Sequence, residues 1–365
     1  MDKKLKILKM VEKYLNKRVI KIRELAELIG TLVAACPAVA YGWLFYKQLE
    51  MIKQDFLKLE GYESKKNIKI SDGAIDELKW WKEYILPAEN KIRTESFDLE
   101  IFSDASLTGW GVVCNNSKAS GFWNSQESKY HINYLEIKAA LLGLKCFAKS
   151  LRDKQILLRI DNLTALAYIN KMGGTRSIDS YEIAKELWQW CFERKIWVFA
   201  EYIASKVNPA DEGSRLQNID TEWELAQFAY DRIVKKFGKP DIDLFASRVN
   251  KKCNKYCSWE RDPEAWVINA LTINWKNFFW YAFPPFSLIL KILRKVKEER
   301  SRGIIVVPHW TGKPWYPMFK ELLISEVISF APSDNNLLSP CRKRIHPLAS
   351  QITLIAGVLS GKHSR

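Results

Sequence analysis

Phe97-Asp98-Leu99-Glu100-Ile101-Phe102-Ser103-Asp104-Ala105-Ser106 is where the periodicity of this 365-residue chain changes. Upstream, apolar residues recur every three or four positions. Through this stretch they recur every second position, which predicts a half-buried strand. Working outward, Gly109-Trp110-Gly111-Val112-Val113-Cys114 predicts a second strand and Ser120-Gly121-Phe122-Trp123 a third, joined by turns of Gly, Asn and Ser. A long helix is expected from about Asn133 to Leu151, and a fourth strand over Gln155 to Ile160. Two helices follow, about 162–171 and 177–194, split by Gly173-Gly174. Ile196-Trp197-Val198-Phe199-Ala200 is the fifth strand. Three strands, helix, strand, helices, strand is a mixed α/β layer pattern.

The flanks read differently. Residues 1–95 are expected to be helical: Leu5, Leu8, Val11 and Leu15, then Leu25, Leu28 and Leu32, stand at helical spacing. A further amphipathic helix runs from Asp72 through Trp80, Trp81 and Ile85, and Pro87 ends it. After the break Gly238-Lys239-Pro240 the pattern is again α/β. Strands are expected at Asp241 to Phe245, Phe278 to Phe283 and Gly303 to Pro308, with a basic helix over 288–302. Residues 331–365 are polar, Ser-rich and basic, and read as a partly disordered tail. The expected division is 1–95, 96–220, 221–330 and 331–365.

Lys plus Arg number 57 against 42 Asp plus Glu, a net +15 that favours a polyanionic partner, nucleic acid or an anionic membrane surface. The seven cysteines are scattered and odd in number, and Met1-Asp2-Lys3-Lys4 leads into an amphipathic helix rather than an apolar leader segment. An intracellular, reducing compartment with free thiols is expected, cytoplasm or nucleus, with no secretion. Cys253 and Cys257 lack a second pair or nearby His to complete a zinc site. The longest apolar run, Ile29 to Phe45, is interrupted by Pro37 and is short for a membrane span, so no membrane partner is expected.

Four acids stand out against this framework. Asp104 closes the first strand, where the alternation makes it continue an apolar face expected to be buried; Glu136 lies in Tyr134-Leu135-Glu136-Ile137-Lys138-Ala139-Ala140 on a helix face shared with Ala140, Gly143 and Phe147, and Asp161 closes the fourth strand. Asp211, in Asn208-Pro209-Ala210-Asp211-Glu212, stands where another helix should begin. Read singly, Asp161 and Asp211 are more simply helix caps, and Glu136 a first-turn acid favoured by the helix dipole. Read together, acids at strand ends and on one packed helix face repel unless cations sit between them. Hard divalent ions with oxygen ligands do that, and Mg²⁺ fits best.

The order Asp, Glu, Asp, Asp at spacings of 32, 25 and 50 residues resembles the RNase H domain of retroelement reverse transcriptases. So do the surrounding Ser103-Asp104-Ala105-Ser106, His131-Ile132-Asn133-Tyr134-Leu135-Glu136 and Asn208 through Arg215. The resemblance implies an RNase H-like mixed five-stranded sheet with flanking helices. A helical segment would precede it and a second, smaller α/β domain would follow. It implies an endoribonuclease cutting the RNA strand of RNA–DNA hybrids, with Asp104, Glu136, Asp161 and Asp211 holding two Mg²⁺, for which Mn²⁺ can substitute. More narrowly, Gly30-Thr31-Leu32-Val33-Ala34-Ala35-Cys36-Pro37-Ala38 looks like the thumb/connection segment of DIRS-type (tyrosine-recombinase) retrotransposon polyproteins. The polymerase portion of the same polyprotein is then an expected partner, and no DNA synthesis by this chain alone is expected, since it contains no Tyr-x-Asp-Asp.

Two departures from that family bear on how substrate is held. Tyr202-Ile203-Ala204-Ser205 stands where related nucleases often place a His, and Gly173-Gly174-Thr175-Arg176 leaves no room for an extra basic helix. The basic N-terminal helices and Trp80/Trp81 are then candidates for gripping the hybrid, by phosphate contact and stacking; core burial is the plainer reading of the two tryptophans. Farther on, Asp241 to Ser247, Asn250, Cys253 and Phe283-Pro284-Pro285-Phe286-Ser287 resemble phage-type adenine DNA methyltransferases. That family needs Asp or Asn before Pro-Pro, and Phe283 cannot accept a hydrogen bond. A retained fold without methyl transfer is expected. The rival to a nuclease is a non-catalytic nucleic-acid-binding scaffold from a decayed element.

Overall fold

The computed structural model describes residues 2–94, 96–215, 223–339 and 345–362. Cys341 and parts of the expected tail lie outside them; the other six cysteines are buried and form no disulfide among the described residues. Two compact units result: Met1–Asp104 with Tyr130–Leu141 and Ala148–Asn208, and Ala105–Lys129 with Leu142–Phe147 and Pro209–Arg365.

The N-terminal stretch comprises α1 (Asp2–Lys17), β1 (Val19–Lys21), α2 (Ile22–Ala35), α3 (Lys47–Glu60), β2 (Asn67–Lys69) and α4 (Asp72–Tyr84). Leu25, Leu28 and Leu32 are buried, as their spacing predicts. The β1/β2 ribbon, with Ile20 opposite Ile68, departs from the all-helical expectation; strands of three residues are too short to show a period of two. Trp80 and Trp81 are core residues. Trp80 stacks on Phe45 at 4.0 Å between ring centroids, and Trp81 donates its indole N–H to the Phe45 carbonyl at 2.7 Å. With 8% and 0% of their surfaces exposed, neither can stack on a nucleic-acid base, which corrects that expectation.

Next come β3 (Leu99–Ala105), β4 (Gly109–Cys114), β5 (Ser117–Phe122), α5 (Ile132–Phe147), β6 (Gln155–Ile160), α6 (Leu163–Asn170), α7 (Ile178–Phe192) and β7 (Trp197–Tyr202). Strand order is β5-β4-β3-β6-β7. β4 and β5 are antiparallel, while β3, β6 and β7 run parallel. This is the mixed five-stranded sheet with flanking helices that the resemblance implies. Leu135, Ile137, Ala139, Ala140 and Leu141 of α5 are wholly buried, and so are Ile156, Leu158 and Ile160 of β6. Side chains alternate along β6, so these three share one face.

The remaining elements are α8 (Asp211–Ser214), β8 (Glu224–Leu225), α9 (Gln227–Phe237), β9 (Ile242–Asp243), β10 (Cys257–Ser258), β11 (Val267–Ile268), β12 (Phe279–Ala282), α10 (Ile289–Glu299), β13 (Arg302–Pro308), α11 (Tyr316–Leu322), β14 (Ile328–Phe330), β15 (Leu337–Leu338) and β16 (Leu354–Ser360). A second five-stranded sheet runs β14-β16-β13-β12-β9. Along β13 the side chains alternate: Ile304 and Val306 face α9's Ala229 and Ile233, while Ile305 and Val307 face Ile292, Leu293 and Phe319 of α10 and α11. The sheet is therefore covered on both sides, as parallel strands require. Residues 354–360, expected within a loose tail, form β16 between β13 and β14 and are almost entirely buried. Its apolar run, Leu354 to Leu359, outweighs the polar residues before it. Among the described residues no helix is long and apolar enough to cross a membrane.

Candidate active site

Asp104, Glu136 and Asp161 converge. One carboxylate oxygen from each lies within 4.8 Å of the others. Asp104 sits at the penultimate position of β3, Glu136 in the second turn of α5, and Asp161 directly after β6. Since β3 and β6 are parallel neighbours, both aspartates leave the sheet at its carboxyl edge, where side chains of open α/β sheets commonly gather around a ligand.

The burial of Asp104, 4% exposed, has a different origin from the one expected. It does not continue the apolar stripe of the strand. By alternation it shares a face with Phe102 and Glu100, both only half-buried, whereas Ile101 faces the core. Its burial comes from its place at the strand's end, in the group with Glu136 and Asp161. Glu136 is also 4% exposed, and Asp161 is half-buried.

Two local facts remove the simpler readings of Asp161 and Glu136, and two hydrogen bonds tie the surroundings of the acids together. Asn162, not Asp161, caps α6, its side-chain oxygen accepting the Ala165 N–H at 2.9 Å. Asp161 is thus not consumed as a helix cap. Glu136 is the fifth residue of α5, beyond the first turn where the dipole best rewards an acid. The Asn162 amide donates to the Asn133 side-chain oxygen at 3.0 Å, linking the residue after Asp161 to the first turn of Glu136's helix. This asparagine pair was not singled out from the sequence, although Asn133 lies inside the His131–Glu136 motif and Asn162 directly follows Asp161. Asn208 adds a buried tie: its amide donates to the Ser103 carbonyl at 3.1 Å, fixing the backbone beside Asp104.

Asp211 is not brought into this group. It is the first residue of α8, with Ala210 as N-cap, and its Oδ1 accepts from Arg215 at 3.1 Å (Nε) and 2.8 Å (Nη2). Within its own unit α8 rests against β4 through Gly111. A Cβ on Gly111 would stand 2.4 Å from the Ala210 carbonyl oxygen and 2.6 Å from the Ser214 nitrogen, so only glycine admits this approach.

Three hard anionic oxygen donors from largely buried side chains suit a hard divalent cation. Oxygens around one Mg²⁺ or Ca²⁺, at roughly 2.0–2.6 Å from it, lie at most about 4–5 Å apart, which is the spread found here. No soft ligand belongs to the group. The donor set therefore fits the cation chemistry that the acids suggest.

No protein-family model matches the chain, and no curated protein matches it. Among solved structures, RNase H1 from the halophilic archaeon Halobacterium salinarum NRC-1 aligns at 17% identity over 32% of this chain and 92% of that one, with a TM-score of 0.27. LC11-RNase H1, isolated from compost by a metagenomic approach and solved in complex with an RNA/DNA hybrid, aligns at 19% identity over 32% and 93%, with a TM-score of 0.27. The foamy viral protease-reverse transcriptase in complex with RNA/DNA hybrid aligns at 13% identity over 59% of this chain, with a TM-score of 0.22, and the chain spans 31% of that protein's length.

Proposed function

We propose that this chain is an RNase H-type endoribonuclease that hydrolyses the RNA strand of RNA–DNA hybrids. The observation that carries the reading is the meeting of Asp104, Glu136 and Asp161 within 4.8 Å at the carboxyl edge of the sheet. Two Mg²⁺ ions, or Mn²⁺ in their place, are the proposed cofactors. When bound they supply an activated water and charge neutralisation at the leaving 3′ oxygen.

The chain's own residues then do the positioning. Asp104 and Asp161, fixed to adjacent parallel strands, present oxygens from a rigid frame. Glu136 approaches from α5, and the Asn133–Asn162 hydrogen bond sets the start of that helix against the Asp161 turn. Asp211 is assigned to the second ion. To serve there its carboxylate gives up the exposed Arg215 pair, at a cost on the order of 1 kcal/mol or less. It is accordingly the most tolerant of the four positions.

The wider reading is a retrotransposon reverse transcriptase of DIRS type, with residues 1–95 as thumb/connection, 96–220 as nuclease and 221–330 as a methyltransferase-like unit without methyl transfer. An intracellular setting and the polymerase portion as partner belong to this reading. Phe283 supports the absence of methyl transfer, since its ring packs on Phe286 at 6.4 Å and offers no acceptor.

The test is incubation with end-labelled hybrid and Mg²⁺ or Mn²⁺. Metal-dependent cutting of the RNA strand, lost in Asp104→Asn, is expected. An inert wild-type chain, or cutting indifferent to Asp104→Asn, would sink the proposal.

A further inference from the structure

The amino ends of three parallel strands in the second sheet carry an unassigned cationic cleft. Lys239 precedes β9, Lys276 precedes β12 and Arg302 opens β13. The three line one cleft of about 480 Å³ together with Phe237, Phe278 and Phe279. Small-ligand crevices of open α/β sheets lie at the opposite, carboxyl ends, so this cleft is not the one the fold itself supplies.

All three cations are exposed, and none forms an ion pair among the described residues. Lys236 nearby is paired with Glu326 at 3.3 Å, so acids are within reach of this surface and these three cations are left without one. Asp241, also beside the cleft, has Oδ2 tied to the Phe279 N–H at 2.8 Å. Cations alone would suit any polyanion. The rings narrow the choice. Phe237, Phe278 and Phe279 are half-buried and line the cleft. Phe278 also continues outward: Trp266, 45% exposed, meets it edge-on at 5.7 Å, and Lys255 Nζ lies 3.9 Å from the Trp266 ring centre and 4.9 Å from that of Phe278. Arg302 lies 5.5 Å from the Phe279 ring. Cations and rings thus alternate along one track.

We infer that this track binds single-stranded nucleic acid. Its phosphates would meet Lys239, Lys276, Arg302 and Lys255, and its bases would stack on Trp266 and the cleft phenylalanines. A duplex hides its base faces and could use only the cations. A run of acidic residues offers carboxylates to the cations but no aromatic faces to stack on the rings. The inference stands on this surface and does not depend on the nuclease reading.

The experiment measures fluorescence anisotropy of a labelled oligothymidylate, DNA that a ribonuclease leaves intact, with the full chain across a salt series. The triple variant Lys239→Gln, Lys276→Gln, Arg302→Gln is expected to reduce the slope of log K against log salt by about 2, from roughly 0.7 per phosphate contact on single strands. Trp266→Ala is expected to weaken binding roughly tenfold with the slope unchanged, and Trp266→Phe to restore most of that loss. Denaturation midpoints of all variants check that they fold. An unchanged slope in the triple variant overturns the inference. So does binding indifferent to Trp266 with polyglutamate competing as well as DNA, which would make the occupant an acidic protein.

Discussion

Arg248 grips Glu127 in a two-pronged ion pair, Nη1 to Oε1 at 2.7 Å and Nη2 to Oε2 at 2.8 Å, with the two side chains only 7% and 10% exposed. Glu127 follows β5 of the first sheet, and Arg248 follows β9 of the second. Arg248 Nη2 also reaches the Phe122 carbonyl at 3.2 Å. Breaking a buried pair leaves one charge stranded without water, which costs about 3–5 kcal/mol. Arg248→Ala is therefore expected to lower unfolding free energy by that amount in urea titrations. Replacing both partners with apolar residues (Arg248→Met with Glu127→Leu) should recover most of it. A single-variant loss below about 1 kcal/mol would mean the pair is solvated.

A second prediction separates metal binding from turnover. Three acids held together repel one another, so without divalent ions Asp104→Asn should be at least as stable as wild type. Added Mg²⁺ or Mn²⁺ should stabilise the wild type, by about 2.7 kcal/mol at a hundredfold excess over the dissociation constant, and should do so far less in Asp104→Asn or Glu136→Gln. Both variants should lose hybrid cleavage on the order of a thousandfold or more. Thermal denaturation with and without the ions reads the first effect, and the hybrid assay the second. A cation shift equal in wild type and Asp104→Asn would place the ion elsewhere.

Much of this site was legible because its signals are local. The change of period at Phe97 marks β3, the Gly-rich turns mark β4 and β5, and Asp161-Asn162 closes β6. The face of Asp104 was misjudged, because Phe102 made its stripe look apolar when the packed stripe contains Ile101. The burial of Asp104 depends on β6 and α5, which its own neighbours in sequence do not reveal. β16 was missed for a related reason. Its partner β13 lies some fifty residues earlier, and pairing at that range leaves no mark on local composition. The β1/β2 ribbon pairs Val19–Lys21 with Asn67–Lys69, again a long-range contact between segments too short to show alternation.

Glu77 carries a prediction about pH. Its carboxylate accepts the backbone N–H groups of Gln48 at 2.9 Å and Leu49 at 3.3 Å, in the first turn of α3, and the Tyr181 hydroxyl at 3.3 Å. Burial dominates all the same and pushes its pKa up from 4.5 to about 7. A carboxyl whose folded pKa exceeds its unfolded one binds more protons when folded, so stability falls as pH rises between about 4.5 and 7. The drop attributable to Glu77 is roughly 2–4 kcal/mol. Glu77→Gln should flatten the urea midpoint across that window. Asp243, raised by burial to about 6, leaves a residual slope of the same sign at lower pH. An unchanged profile in Glu77→Gln would show that Glu77 stays ionised throughout.

Gly111 offers a test of how Asp211 is held. The turn of α8 lies on β4 so closely that a methyl group at Gly111 would meet the Ala210 carbonyl oxygen at 2.4 Å. Overpacking of this kind costs typically 1–3 kcal/mol, and the single turn of α8 is easier to displace than β4, which is paired within the sheet. Ser106 ties the far end of the same helix, its hydroxyl donating to the Ser214 carbonyl at 2.7 Å. Gly111→Ala should therefore shift Asp211 while leaving Asp104, Glu136 and Asp161 in place. The expected outcome is reduced hybrid cleavage with part of the cation-dependent stabilisation retained, resembling Asp211→Asn rather than Asp104→Asn. Full cleavage by Gly111→Ala would mean that Asp211 contributes nothing to turnover from its place on α8.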